Sequence, residues 1–233
     1  MATIEDYRKK IELTVQDKDG IVTKEERDTF ILEAAKKYSK IITYEIVTDF
    51  TGDGSSYDFT LPPTYYDGFS VIRSIEFPQG DQIPTYLEDG DWQIYKSTTL
   101  TPKLRLLNDI PSATQTLRVI HTSFHLLTSS SATINAQGQD AVCNLASALY
   151  CYSLARHYAR TAETTITADT VNYQTKSDVY AARARELIEQ FNQAMNIDSS
   201  TGGLAVKAAS IITEWDTEYQ WQQDYLLHPK RNR

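Results

Sequence analysis

Cysteine is scarce in this sequence: two residues in 233, Cys143 and Cys151. Eight positions apart in a stretch that reads as helix, their Cα atoms stand about 12 Å from one another. A disulfide spans no more than about 7 Å. Two buried thiols in a reducing compartment are therefore expected. Nine glycines are too few for long flexible linkers, and six of the seven prolines fall between Pro62 and Pro111. No apolar run approaches the roughly 18 residues of a membrane helix. The opening Met-Ala-Thr-Ile-Glu-Asp lacks the basic and apolar regions of a secretory signal. Net charge is −8, which argues against broad clamping of nucleic acid, because phosphates are held by clustered Lys and Arg.

Motifs of small-molecule chemistry are also missing. There is no Gly-x-Gly-x-x-Gly, P-loop or Gly-x-Ser-x-Gly, so nucleotide binding and serine hydrolysis have no support. Neither cysteine sits beside a histidine or at a helix start, where a thiolate would be activated. His121 and His125 lie about 13 Å apart if their segment is a strand, too far to share one zinc. His157 and His228 have no evident partners. Asp17-Lys18-Asp19-Gly20 places Asp17, Asp19, Gly20 and Glu26 at positions of a calcium loop, but Val15 occupies the first ligand position and has no oxygen to offer. A plain helix–turn–helix connector is the better account. The reading is of a non-enzyme with no cofactor and no metal, since no nucleophile, base and orienting group converge.

What is present divides into three blocks. Hydrophobic content of 41% and charged content of 23% are those of a folded domain. Residues 1–40 read as two helices. Ile4, Ile11 and Leu13 mark the first, and Thr23 with Glu26 forms a capping box that starts the second. Phe30, Ile31, Ala34, Ala35 and Tyr38 then fall on one face. Residues 41–128 change period. Ile42, Tyr44 and Ile46 alternate with Thr43, Glu45 and Val47, as in a half-buried strand. Residues 51–56, Thr-Gly-Asp-Gly-Ser-Ser, predict a hairpin loop with residues 57–61 as its return strand, halted by Pro62-Pro63. Further strands are expected at 70–77, 92–96, 103–107 and 117–121.

Helix returns at about Gln139–Arg160, with Ala141, Leu145, Ala148, Leu149, Tyr152 and Ala155 on one face. A second helix follows at about Tyr173–Met195. The predicted fold class is α+β: an antiparallel helical bundle from residues 1–40 and 129–197, an antiparallel β insertion at 41–128, and a linker with an extended C-terminal arm at 198–233.

Two surfaces stand out as candidates. The β insertion holds eleven acids and five bases, a net of −6, leaving −2 for the rest of the chain. Asp53, Asp58, Glu88, Asp89 and Asp91 mark it as an acidic surface. The arm interleaves Trp215, Tyr219, Trp221, Tyr225, Leu226 and Leu227 with polar residues, the composition of a docking segment, since Trp and Tyr dominate interface hot spots. An alternative reading takes Tyr65, Tyr66, Tyr86 and Trp92 as a ligand- or glycan-binding face, because surface aromatics stack on sugars.

The order of parts resembles a known family. Two N-terminal helices lead through a Gly-Asp-Gly turn to Tyr57-Asp58-Phe59-Thr60-Leu61-Pro62. Val71–Pro78, Trp92-Gln93-Ile94, Leu104-Arg105-Leu106 and Thr116–Thr122 follow, and then an Ala/Leu/Tyr/Cys-rich helix and a second long helix. This is similar to the head–tail connector (adaptor) proteins of tailed double-stranded DNA bacteriophages, in the form with a β insertion. The resemblance implies a structural virion protein, made in the host cytoplasm and placed in the neck. There it forms a homo-oligomeric ring, typically a dodecamer, beneath the portal protein and above a tail or neck protein. It extends a DNA channel through which DNA passes without specific binding. It also implies that the arm grips the portal protein and that the acidic residues face the channel.

Overall fold

The computed structural model describes residues 3–17, 19–96, 101–162 and 170–197. It is an α+β protein with four helices and two small antiparallel sheets among these residues. The aromatic arm, from Trp215 to Leu227, lies outside them.

Helix α1 (Ile4–Val15) begins where the Thr3 N–H donates to Asp6 Oδ2 at 2.8 Å. It stops at Gln16, which turns left-handed at φ 52° and donates its N–H to the Glu12 carbonyl. Tyr7, Ile11 and Val15, spaced by four, form its buried stripe. Leu13 lies in this helix as the sequence indicates but outside its buried stripe, and is 75% exposed. Two residues past Ile11 is a rotation of about 200°, which sends Leu13 to the solvent side.

Helix α2 (Lys24–Ile41) starts from the expected capping box: Glu26 N–H donates to Thr23 Oγ1 and Thr23 N–H to Glu26 Oε2. Thr23→Ala is expected to cost about 1 kcal/mol, read as a lower urea midpoint with unchanged slope. Ile31, Ala34, Ala35 and Tyr38 are buried. Arg8 of α1 ties the two helices together through a two-point ion pair with Asp28.

Helix α3 (Ala136–Ala162) is buried on more than one side: Ala141, Val142, Cys143, Leu145, Ala146, Tyr150, Leu154 and Tyr158 are all inaccessible. Its sequence shows little apolar periodicity for that reason, because a helix covered on opposite faces has no solvent face to mark. Helices α1 and α2 pack on α3, and so does α4 (Thr170–Ala194), which runs back along it. Small residues allow close approach. A side chain at Gly138 would collide with the Tyr38 hydroxyl of α2. Ala184, Leu187, Phe191 and Met195 complete this helical core.

Between α2 and α3 the chain builds six strands: β1 (Tyr44–Thr51), β2 (Asp58–Thr60), β3 (Ile72–Glu76), β4 (Trp92–Lys96), β5 (Pro102–Leu106) and β6 (Thr116–Ser123). One sheet has the order β1-β6-β3 and the other β2-β5-β4. The predicted hairpin of β1 with residues 57–61 does not form. Strand β1 pairs over its whole length with β6, from Tyr44 opposite Ser123 to Thr51 opposite Thr116, while β2 pairs with β5. The turn is held instead by the β5–β6 connection: Gly52 N–H donates to the Gln115 carbonyl and Gly54 N–H to that of Pro111, both at 2.9 Å. Gly52 fits only because it lacks a side chain, which would overlap the Pro111 and Ser112 carbonyls. The chain therefore passes from one sheet to the other rather than folding back, and Phe50 and Phe59 meet with ring centres 5.7 Å apart.

A second core, distinct from the helical one, unites both sheets through Phe59, Leu61, Ile72, Ile75, Phe77, Leu104, Leu106, Leu117 and Val119. The two parts join where Ser39 Oγ of α2 accepts the His125 N–H at 2.9 Å and donates to the Ala35 carbonyl.

Candidate functional site

The acidic residues separate into two groups. Asp58, on β2, accepts from Arg105 Nε at 2.7 Å and Nη2 at 2.9 Å, and from the Tyr95 hydroxyl at 2.7 Å. The register that sets Asp58 opposite Arg105 makes this contact. Arg105 lies over both the Tyr57 and Tyr95 rings, 4.7 Å from each centre. Its guanidinium holds the Asp58 carboxyl down to about 2. Three other bases of the β region are similarly occupied: Arg73 pairs with Glu45, Lys96 with Asp67, and Arg118 with Asp49 at 2.9 Å.

Asp53, Glu88, Asp89 and Asp91 lie in loops. Asp53 caps its own turn, accepting from the Ser55 and Ser56 N–H groups and the Ser56 hydroxyl, which keep its carboxyl well below the ordinary range. Asp91 accepts from the Glu88 N–H and from Asn108. Glu88 and Asp89 are exposed.

These turns are brought together by the connection from Leu107 to Gln115. It holds the 52–54 turn as described, and Leu107 N–H donates to the Asp91 carbonyl at 2.8 Å. Gln79 N–H donates to the Thr116 carbonyl just beyond it. Three loops, 51–57, 77–91 and 107–115, thus form one end of the β region. They hold six carboxylates, with Asp81 and Asp109 added to the four above, and neither Lys nor Arg. Asp81, Asp109 and the exposed Ile83, Leu107 and Ile110 of the same loops were not singled out from sequence. The available signal was the lack of any base in three separate loops.

The aromatic residues of the glycan reading are spread among different duties. Tyr65 and Trp92 pack against the β core, and Tyr65 also contacts His121. Tyr66 meets Phe124 edge-on at 4.8 Å. Tyr86 bridges Glu76, at the far end of β3 from Tyr65 and Tyr66.

Asp17 and Asp19 fasten the α1–α2 turn to α3 by accepting from the Tyr150 and Tyr158 hydroxyls at 3.0 and 2.9 Å. Glu26 is engaged in the capping box, and Gly20 supplies a left-handed φ of 61°. Among the described residues no group of three or more His, Cys, Asp and Glu is placed to hold a metal ion.

His121 is fully buried, with Nε2 3.3 Å from Thr64 Oγ1. The His125 Nδ1 lies 3.0 Å from Thr133 Oγ1, and its ring packs against Tyr38 and Tyr44. Burial lowers both imidazoles from their ordinary value. His157 is exposed on α3, edge-on to Tyr158, and His228 lies outside the described residues. Cys143 and Cys151 are buried, and desolvation pushes their thiols up to about 12 and about 11. Neither is an available nucleophile at neutral pH. A groove of about 630 Å³ beside the start of α3 is lined by Tyr44, Thr133, Ile134, Asn135 and Gln139, among others, with no charged side chain.

Comparison with solved structures gives a structural likeness. A chain from the neck of an empty GTA particle, computed with C6 symmetry, is 14% identical over 55% of this chain and 68% of its own, with a TM-score of 0.27. No family model and no curated protein matches. No described helix is long and apolar enough to cross a membrane.

Proposed function

We propose that this chain is a structural protein of a phage-like particle neck: a head–tail adaptor that joins neighbouring copies in a ring beneath a portal protein. The observation that carries this reading is the order of parts: two short helices, a two-sheet β region with its own core, and two long packed helices ahead of an aromatic C-terminal segment. It matches the order on which the sequence resemblance rests. In this reading residues 1–40 and 129–197 form one unit, 41–128 a second, and 198–233 the arm. The acidic loop end suits a surface past which DNA must move, since six carboxylates without a base repel phosphates. Glu88 and Asp89, both exposed, are the charges best suited to that role, while Asp91 also holds Glu88 and Asn108. Asp53 is spent on its turn and Asp58 on Arg105.

The arm supplies the portal contact through Trp215, Tyr219, Trp221, Tyr225, Leu226 and Leu227. A chain ending before Ser210 is expected to keep its far-UV spectrum and melting temperature while losing portal binding in a pull-down. Undiminished capture of the portal protein by that truncated chain would remove the docking role from the arm.

A further inference from the structure

The acidic loop end is also the most apolar exposed part of the β region. Ile83 is 81% exposed in the 77–91 loop, and Tyr57, Tyr86, Leu107 and Ile110 of the three loops are exposed as well. A cleft of about 380 Å³ opens at residues 107–110, lined by Tyr57, Arg105, Leu107, Asp109 and Ile110 among others, and the Arg105 guanidinium in it is paired with Asp58. Apolar side chains at a cleft whose one base is already paired with Asp58, beside loops that carry six carboxylates and no base, call for a ligand that is itself apolar and basic. The chain carries such a segment. Beyond Asp224 it reads Tyr225-Leu226-Leu227-His228-Pro229-Lys230-Arg231-Asn232-Arg233, with three bases and no acid.

We propose that this C-terminal segment docks on the loop end of its own chain, with Leu226 and Leu227 at the cleft and Lys230, Arg231 and Arg233 against Glu88, Asp89, Asp91 and Asp109. Three arguments on the molecule support that occupant. Charge complementarity is the first: six carboxylates without a base face three bases without an acid. Reach is the second. Twenty-seven residues separate Ile197 from Tyr225, and at about 3.3 Å per residue they can span about 90 Å, several times the length of β1. Tethering is the third, because a segment on the same chain acts at an effective concentration of about millimolar, which favours it over a second copy in dilute solution. The contact goes beyond the adaptor reading and does not depend on it. Where that reading holds, Tyr225, Leu226 and Leu227 leave the loop end when the arm takes the portal.

Hydrogen exchange on the full chain tests the contact. In about 20 mM salt, amides of residues 80–91 and 107–112 are expected to exchange about three- to tenfold more slowly than in about 0.5 M salt, where surface charge is screened. The triple variant Lys230→Glu, Arg231→Glu, Arg233→Glu loses that protection, while amides of α3 stay unchanged as the control for folding. Adding Glu88→Lys, Asp89→Lys and Asp109→Lys to the triple variant restores it. Equal loop exchange in the parent and the tail-reversed chain overturns the proposal. Protection that rises with protein concentration overturns the choice of the chain's own segment and makes a second copy the occupant.

Discussion

Leu104→Ala is expected to destabilise the protein by about 3–5 kcal/mol, the range for a fully buried leucine whose cavity cannot collapse. Leu104 is the central residue of the middle strand of its sheet, opposite Phe59 on one side and Ile94 on the other, and it is inaccessible to solvent. Its core holds only nine buried residues, so few neighbours can shift to fill the gap. Val47→Ala, at a position 54% exposed on β1, is expected to stay within about 0.5 kcal/mol. Urea unfolding measures both. Site-resolved hydrogen exchange then tests the proposed division of the chain. If residues 41–128 open as their own unit, Leu104→Ala lowers protection in β2, β4 and β5 and leaves the amides around Leu154 in α3 as they were. An equal loss in both regions would mean a single cooperative unit, and the division would be wrong.

The second large effect is a loss of stability in mild acid. Burial holds His121 and His125 below the ordinary value of 6.5. The unfolded chain therefore takes up protons near 6.5 that the folded chain refuses until lower pH. Stability from these groups is complete above 6.5 and falls with pH down to their folded values, by at most about 1.4 kcal/mol per pH unit for each. The rings face Thr64 and Tyr65, and Tyr38, Tyr44 and Thr133, with no carboxylate or base among these contacts. Asp28, Asp49 and Asp58 are lowered by their arginine partners. Their contribution is present above the unfolded carboxylate value and is lost only as pH falls below about 4. Unfolding free energy at pH 5 is thus expected to lie below that at pH 7. The double variant His121→Gln, His125→Gln should show a flat profile across that interval, whatever its absolute stability. A parent and a variant with the same slope would exclude the histidines as the cause.

Local chemistry was legible in the sequence where a few neighbouring residues decide the outcome. The Thr23–Glu26 box starts α2, and Ile31, Ala34, Ala35 and Tyr38 face inward as their spacing predicts. Long-range pairing was not. A Gly-Asp-Gly turn has the same composition whether the chain returns to its own sheet or crosses to another, and only the Gly52 and Gly54 contacts with the β5–β6 connection decide between them. Leu13 marks α1 but not its buried face, because an isolated apolar residue carries no phase, whereas Tyr7, Ile11 and Val15 together do. The acidic surface was visible as a net −6 over residues 41–128, but not its distribution. Asp58 meets Arg105 across 47 positions of sequence, and Asp81 and Asp109 join Glu88 only when three loops close on one another.

The pairing of Tyr44 with Ser123 has a consequence for how such a chain could arise and be altered. The β region leaves the helices and returns to them on adjacent strands, so its two ends stand about 5 Å apart. An insert of some eighty residues with coincident ends asks almost nothing of its host. Where the region opens as its own unit in the exchange test above, helices α2 and α3 can keep their packing whatever lies between, and the region can be exchanged, lengthened or re-charged without re-laying the helical core. The surface presented at the loop end is thereby free to change as its surroundings demand, while the helices that hold it in place stay the same.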